Sequence, residues 1–130
     1  MIDGQGIVGI GYDMVQIHRI ESVLSRWGDR FRERVFTPHE LAYCESKKNK
    51  CQRLATRFAA KEAVFKALGT GWLRGVSWTE IEITNDELGK PSITLSGKTE
   101  QLSRQLGVRN IFVSMTNTED YGAAQVILTS

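Results

Sequence analysis

Two acidic side chains, Asp13 and Glu62, lie beside features that suit chemistry at a phosphate group. Asp13 ends the strand-like run 7–12, and Glu62 lies in a long helical pattern that stops at Gly69, Thr70 and Gly71. Magnesium typically takes one or two protein carboxylates and completes its shell with phosphate oxygens and water. Glycines after a helix allow a backbone to approach a diphosphate closely. The pair therefore predicts a magnesium site that acts on a phosphate.

Two lysines share the helical pattern with Glu62. Lys61 falls inside an apolar stripe, and Lys66 follows Glu62 by one turn; the stripe consists of Leu54, Phe58, Phe65 and Leu68. A buried lysine needs a partner because desolvating a charge costs on the order of several kcal/mol, and a phosphate would serve. A plainer interpretation is an exposed Glu62–Lys66 pair, with Lys61 reaching past Phe65 to solvent. The residues alone leave both interpretations open.

The elements that position these residues can be predicted from periodicity. In the first strand Val8, Ile10 and Tyr12 alternate toward one face, and the glycines between them leave the other face bare for a backbone or a ligand. Asp13 falls on that bare face. Helices are expected over 14–27, from the Thr37 cap to about residue 43, over 52–68, and over 98–106 with Ser96 as a possible cap. Strands are expected over 80–84, 92–95, 110–115 and 121–128.

The order of these elements predicts the fold class. Strands and helices mix without regular βαβ alternation, so we expect a single α+β domain over residues 1–130, with a long helix packed on an antiparallel sheet. No run is apolar enough to span a membrane, and the first residues do not resemble a signal peptide, so a cytoplasmic location without a membrane partner is expected. Cys44 and Cys51 are then expected to be free thiols.

Basic residues cluster in two stretches. Arg19 and Arg26 lie seven residues apart and share a helix face, and a second cluster comprises Lys47, Lys48, Lys50 and Arg53. Each cluster fits either a solvated surface or a landing site for an acidic partner or a phosphate. The net charge is only +2, and no nucleic-acid-binding motif accompanies it, so nucleic acid is not an expected partner.

Two segments resemble a known enzyme family. Residues 57–71, RFAAKEAVFKALGTG, closely resemble the signature of holo-acyl-carrier-protein synthases, the short phosphopantetheinyl transferases of fatty-acid synthesis. Residues 8–13, VGIGYD, and the following Arg19, Ile20 and Glu21 resemble the first motif of that family. The resemblance covers nearly the whole chain, and the two motifs are specific because they occur together, about fifty residues apart.

The resemblance implies a fold, a reaction and a site. Such enzymes have the 4′-phosphopantetheinyl transferase fold and move the 4′-phosphopantetheine arm of coenzyme A to a serine of the apo acyl carrier protein, releasing adenosine 3′,5′-bisphosphate. Asp13 and Glu62 would bind magnesium, and Glu62 would act as the base, directly or through a metal-bound water. Lys66 would also be catalytic by stabilising the leaving bisphosphate. Residues expected to bind coenzyme A are Arg57, Lys61, Lys66, Gly69, Thr70, Gly71, Asn117 and Thr118.

The resemblance also implies partners. Arg19 and Arg26 would receive the acidic carrier protein, and the enzyme would be a homotrimer with active sites between subunits. One position departs from the family pattern: residues 114–118 read SMTNT, so Asn117 stands where many relatives have histidine. Asn117 can donate a hydrogen bond but carries no charge, so it is either a donor-binding residue or part of a hairpin turn. A non-catalytic module that binds coenzyme A or the carrier is the main alternative, and the retained metal pair argues against it.

Overall fold

The computed structural model describes residues 6–69 and 75–130, which form strands and helices in an α+β arrangement. The strands are β1 (Ile7–Gln16), β2 (Ile81–Asn85), β3 (Pro91–Leu95), β4 (Asn110–Asn117) and β5 (Tyr121–Thr129). The helices are α1 (Ile17–Trp27), α2 (Asp29–Val35), α3 (Pro38–Glu45), α4 (Lys50–Leu68) and α5 (Gly97–Gln105). A short 3₁₀ turn, Trp78–Glu80, precedes β2.

All strand pairs are antiparallel. One sheet has the order β1-β5-β4, and the β2–β3 hairpin forms a second sheet. Helix α4 packs mainly against β1 and β5, and its residues 54–68 are mostly buried. The predicted α+β class, with a long helix on an antiparallel sheet, is confirmed. No helix in the described ranges is long and apolar enough to cross a membrane.

The main chains of β1 and α4 touch directly. A Cβ atom added at Gly9 would lie 2.0 Å from the carbonyl oxygen of Ala67, and one at Gly11 would lie 1.8 Å from that of Ala63. Both distances are far below van der Waals contact, so only glycine fits. The bare face predicted for this strand therefore accommodates another backbone, and Asp13 follows on the same face.

The opposite face of the three-stranded sheet is exposed and apolar. Ile10, Tyr12 and Met14 of β1 are each more than half exposed, as is Phe112 of β4. Ile10 and Phe112 are both paired with Ile127 of the central strand, so they belong to one row across the sheet. Such a row of large apolar side chains marks a surface suited to association.

The predicted boundary between the first strand and helix is wrong. Residues 14–16 continue β1, with Met14 paired with Ala123 and Gln16 paired with Tyr121. Long-range pairing with β5 overrides the local helical spacing, and α1 begins at Ile17, whose amide donates to the carbonyl of Asp120 at 2.9 Å.

Two further differences concern a helix that the sequence does not predict and the cap of another. Helix α2 was not predicted because its seven residues are mostly charged and offer only Phe31 and Val35 as an apolar pair. Ser96 occupies the N-cap of α5 but makes no capping bond. The carboxylate of Glu80 caps this helix instead, accepting the amide protons of Lys98 and Thr99 at 3.0 and 3.2 Å.

Two sequence predictions hold without change. Helix α3 begins after the predicted Thr37 cap, and Thr37 and Glu40 form a capping box in which each side chain bonds the other's backbone amide. Cys44 and Cys51 are free thiols, as expected, and burial raises the pKa of Cys44 to about 11.

Candidate active site

Asp13 and Lys66 meet where β1 faces the last turns of α4. The Lys66 ammonium donates to Asp13 Oδ1 at 2.8 Å and to the backbone carbonyl of Tyr12 at 3.1 Å. The Asp13 side chain is 18% exposed, whereas that of Lys66 is 53% exposed. Asp13 is therefore held at the base of the site, while Lys66 reaches it from the solvent side.

Glu62 lies one helical turn before Lys66 and is half-buried. Burial raises the pKa of its carboxyl group, and the nearby negative charge of Asp13 raises it further, while Lys66 opposes both effects. Within the part of the chain that the structure describes, no hydrogen bond or ion pair to the Glu62 carboxylate is found. A second cation near Asp13 and Glu62 would relieve this repulsion.

This pair of carboxylates fits magnesium. No third carboxylate, histidine or cysteine joins Asp13 and Glu62 within residues 6–69 and 75–130 to form a larger metal-binding group. Magnesium in proteins is usually bound by one or two carboxylates, and phosphate oxygens and water fill its other coordination sites. The negative charge of Asp13 makes the ionised form of Glu62 less favourable, so the site favours added positive charge beside these two carboxylates.

Arg57 lines a separate cavity of about 170 Å³ between the N-terminal half of α4, the β2–β3 turn and the end of β4. The side chain is only 2% exposed, and its Nη2 donates to Asn85 Oδ1. Its Nε atom is buried and has no hydrogen-bond partner among the residues that the structure describes. Because Arg57 and Arg53 line this cavity and both carry a positive charge, an anion is the ligand that the cavity favours.

Asn117 lines the same cavity as Arg57 and Arg53, at the last residue of β4. Its Nδ2 lies 3.4 Å from the Thr118 carbonyl, a marginal bond. Thr118 shapes the following turn, because its hydroxyl accepts the amide protons of Asp120 and Tyr121 at 3.2 and 3.0 Å. The structure thus places Asn117 beside Arg57 and also at a hairpin turn, so both interpretations of this residue fit its position.

The prediction that Lys61 meets a phosphate is wrong. Lys61 is completely buried, and its ammonium pairs with Glu40 Oε1 at 2.6 Å. It also donates to three backbone carbonyls, those of Val35, Trp78 and Ile81, at 2.7 to 3.1 Å. With these acceptors the ammonium has no exposed surface for a ligand.

The remaining predicted residues lie in three places. Gly69 ends α4 with φ +77°, in the left-handed region that favours glycine, and Thr70 and Gly71 lie outside the described residues. Arg19 and Arg26 are exposed on α1. Arg26 packs over the ring of Trp27 at 5.4 Å from its centroid.

Sequence reasoning missed the partners of the charged residues on α4. Glu40 binds Lys61 and Asn85 binds Arg57, and the local sequence around Glu40 and Asn85 does not predict either contact. A buried lysine and a buried arginine one turn apart are a signal that acidic and amide partners must come from elsewhere in the chain.

Comparison with known proteins identifies the family. A model of the 4′-phosphopantetheinyl transferase superfamily matches residues 9–126. A holo-[acyl-carrier-protein] synthase of Solibacter usitatus is 48% identical over 94% of this chain and 98% of its own length. One of Koribacter versatilis is 45% identical over the same shares of the two chains.

Solved structures agree. Holo-[acyl-carrier-protein] synthase from Neisseria meningitidis superposes with a TM-score of 0.87 at 36% identity, covering 95% of this chain and 98% of that one. The Helicobacter pylori enzyme in complex with coenzyme A gives a TM-score of 0.81 at 31% identity, covering 92% and 98%. Together with the two carboxylates and the anion-suited cavity, these matches show that the chain belongs to the holo-[acyl-carrier-protein] synthases of the 4′-phosphopantetheinyl transferase superfamily.

Proposed function

We propose that this protein transfers 4′-phosphopantetheine from coenzyme A to a serine of an apo acyl carrier protein. The products are the holo carrier protein and adenosine 3′,5′-bisphosphate, and the reaction serves fatty acid biosynthesis in the cytoplasm. The observation that carries the proposal is the meeting of Asp13, Glu62 and Lys66 where β1 faces α4. Relatives with that fold include proteins solved with coenzyme A.

Asp13 and Glu62 are proposed to hold magnesium. When bound, the ion would neutralise charge on the diphosphate of coenzyme A and orient it for attack. Asp13 serves as a ligand only, since its Oδ1 is already tied to Lys66. Glu62 serves as ligand and base, because its raised pKa makes its carboxylate a better proton acceptor than an exposed one.

The reaction exchanges one phosphorus–oxygen bond for another. The serine oxygen attacks the phosphorus that bears the pantetheine arm, and its proton passes to Glu62. The bond from that phosphorus to the oxygen bridging the diphosphate breaks, and the bridging oxygen leaves with adenosine 3′,5′-bisphosphate. Lys66, half exposed at the mouth of the site, stabilises the charge on the leaving group.

Arg57 and Asn117 are proposed to bind the nucleotide end of coenzyme A in the 170 Å³ cavity. The positive charges of Arg53 and Arg57 on the wall of this cavity support the assignment. Arg57 and Glu62 lie on the same helix, separated by about 7.5 Å of helical rise, so one extended donor can reach both. Gly69, Thr70, Gly71 and Thr118 are proposed as backbone contacts of the donor.

The transfer is tested by mass. The protein is incubated with coenzyme A, magnesium and an apo carrier protein, and the intact carrier is weighed. A gain of one phosphopantetheine arm is expected, and its loss on adding EDTA would support the metal requirement. If the carrier gains no mass while the protein still binds coenzyme A, the chain is a binding module and the proposal fails.

The carrier protein is proposed to dock on α1. Arg19 and Arg26 are exposed, and neither forms an ion pair with another described residue. Trp27 and Arg30 extend this basic surface, with Arg30 at 5.9 Å from the Trp27 ring centroid. Arg19→Glu should raise KM for the carrier at least tenfold and leave KM for coenzyme A unchanged. Arg104→Glu on α5 makes the same change of charge away from α1 and serves as the control.

The exposed apolar face of the β1-β5-β4 sheet supports a homotrimer with active sites between subunits. Four side chains of this face are more than half exposed, an unfavourable arrangement for a monomer. Size-exclusion chromatography with light scattering should report three copies. Phe112→Glu should give monomers, because a carboxylate cannot be buried at such an interface without a partner. A monomeric parent protein at micromolar concentration would contradict this assembly.

A further inference from the structure

The ring of Tyr43 carries three cations. Its centroid lies 4.8 Å from Arg57 Cζ, 5.1 Å from Lys47 Nζ and 5.8 Å from Arg53 Cζ. Each distance is within the range of a cation–π contact. Two of the three cations, Arg53 and Arg57, also line the cavity that contains Asn117. The ring therefore joins the cavity to the basic residues outside it.

The position of Tyr43 is fixed by the buried ion pair rather than by the cations. Tyr43 lies on α3, one turn after Glu40, and Glu40 is bound to Lys61 of α4. The second carboxylate oxygen of Glu40 accepts the amide proton of Ile83 at 2.9 Å, which ties α3 to β2 as well. A ring on such an anchored helix can hold mobile side chains around it.

The positive charges around Tyr43 are held close together against their mutual repulsion. Lys47, Arg53 and Arg57 repel one another, and no described carboxylate forms an ion pair with any of them. The negative face of an aromatic ring attracts each of them without neutralising its charge. Lys47 and Arg53 thus remain available to an anion, whereas Arg57 is already held in place by its bond to Asn85.

We propose that Tyr43 is a positioning residue for the phosphorylated donor: its ring holds Lys47 and Arg53 next to the buried Arg57, so that the cations are in place before the nucleotide binds. The inference rests on the proposed function, because it takes the donor nucleotide to be the anion. Without the ring, Lys47 and Arg53 would disperse while Arg57 stays bonded to Asn85, and the cost of ordering the two side chains would weaken binding. Tyr43 acts through the cations and does not need to touch the nucleotide itself.

The test measures affinity for adenosine 3′,5′-bisphosphate by calorimetry. Tyr43→Leu should bind about tenfold more weakly than the parent, since the side chains of Lys47 and Arg53 must then be ordered on binding. Tyr43→Phe keeps the ring face and should bind within about twofold. Tyr121→Leu, at a ring with no cation contact among the described residues, should match the parent and serves as the control.

A fluorination series separates ring electrostatics from packing. The ring of the Tyr43→Phe variant is replaced by phenylalanine analogues that carry one to five fluorine atoms. Fluorine weakens the negative charge on the ring face while keeping the shape of the ring nearly constant. Affinity should fall stepwise while the melting temperature stays constant. Equal affinity across the series overturns the role of the ring, and so does a Tyr43→Phe variant as weak as Tyr43→Leu. If the parent itself does not bind the bisphosphate, the proposed donor fails, a result distinct from failure of the Tyr43 inference.

Discussion

Replacing Lys61 with methionine is expected to destabilise the protein strongly without removing a ligand contact. Methionine keeps the length of the side chain but not its charge. The change leaves the carboxylate of Glu40 fully buried, with only the amides of Thr37 and Ile83 as donors. Breaking one side of a buried ion pair typically costs about 3–5 kcal/mol.

The magnitude can be measured by urea unfolding at a fixed protein concentration, followed by far-UV circular dichroism. For a domain of this size a loss of about 3–5 kcal/mol corresponds to a fall in melting temperature of roughly 11–18 °C. Adding Glu40→Gln should recover about 2 kcal/mol, because the amide removes the uncompensated charge and retains an acceptor for the Thr37 amide.

Lys66→Met is the matched control on the same helix. Lys66 is 53% exposed, so its loss should change stability by less than about 1 kcal/mol while weakening nucleotide binding. Lys61→Met should show the opposite pattern wherever it remains folded. If Lys61→Met is as stable as the parent but loses the nucleotide, Lys61 is a phosphate ligand and the assignment of the buried pair to structure is wrong.

Three further changes test other parts of the molecule. Glu62→Gln should abolish transfer yet raise the melting temperature in EDTA. The raised pKa of Glu62 makes the folded parent gain stability as pH falls from 7 to 5, and the variant should lose this gain. A variant whose stability depends on pH in the same way as the parent's would contradict the raised pKa. Asn117→His should bind adenosine 3′,5′-bisphosphate more tightly at pH 5.5 than at pH 8, because imidazolium can pair with phosphate; calorimetry at both pH values would show a flat profile if Asn117 only shapes the turn. Gly11→Ala should cost about 3 kcal/mol or more by urea unfolding, because its Cβ would overlap the Ala63 carbonyl, and a near-neutral effect would refute the close approach of β1 and α4.

The positions of Asp13 and Glu62 could be predicted because each lies next to a strong local signal. Asp13 follows the glycine-bearing face of a strand, and Glu62 lies on a long helix with a clear apolar stripe. Antiparallel pairing and the α+β class follow from the same local periodicities. The prediction of the site thus depended on local sequence patterns together with the family resemblance.

The error at Lys61 arose from long-range information. Its partner, Glu40, fits a local capping box so well that the sequence gives no reason to seek a second role for it. The length of β1 was missed for a related reason. Residues 14–16 fit a helical pattern and a period of two equally, and only pairing with β5 decides between them.

The backbone contact between β1 and α4 has a consequence for how the site can change. No side chain separates the strand that bears Asp13 from the helix that bears Glu62, because Gly9 and Gly11 abut the main chain of α4. The spacing of the two carboxylates is therefore insulated from mutation elsewhere in the core. Substitutions at the periphery leave this spacing unchanged, while a different spacing of the two carboxylates would require redesigning two secondary-structure elements together.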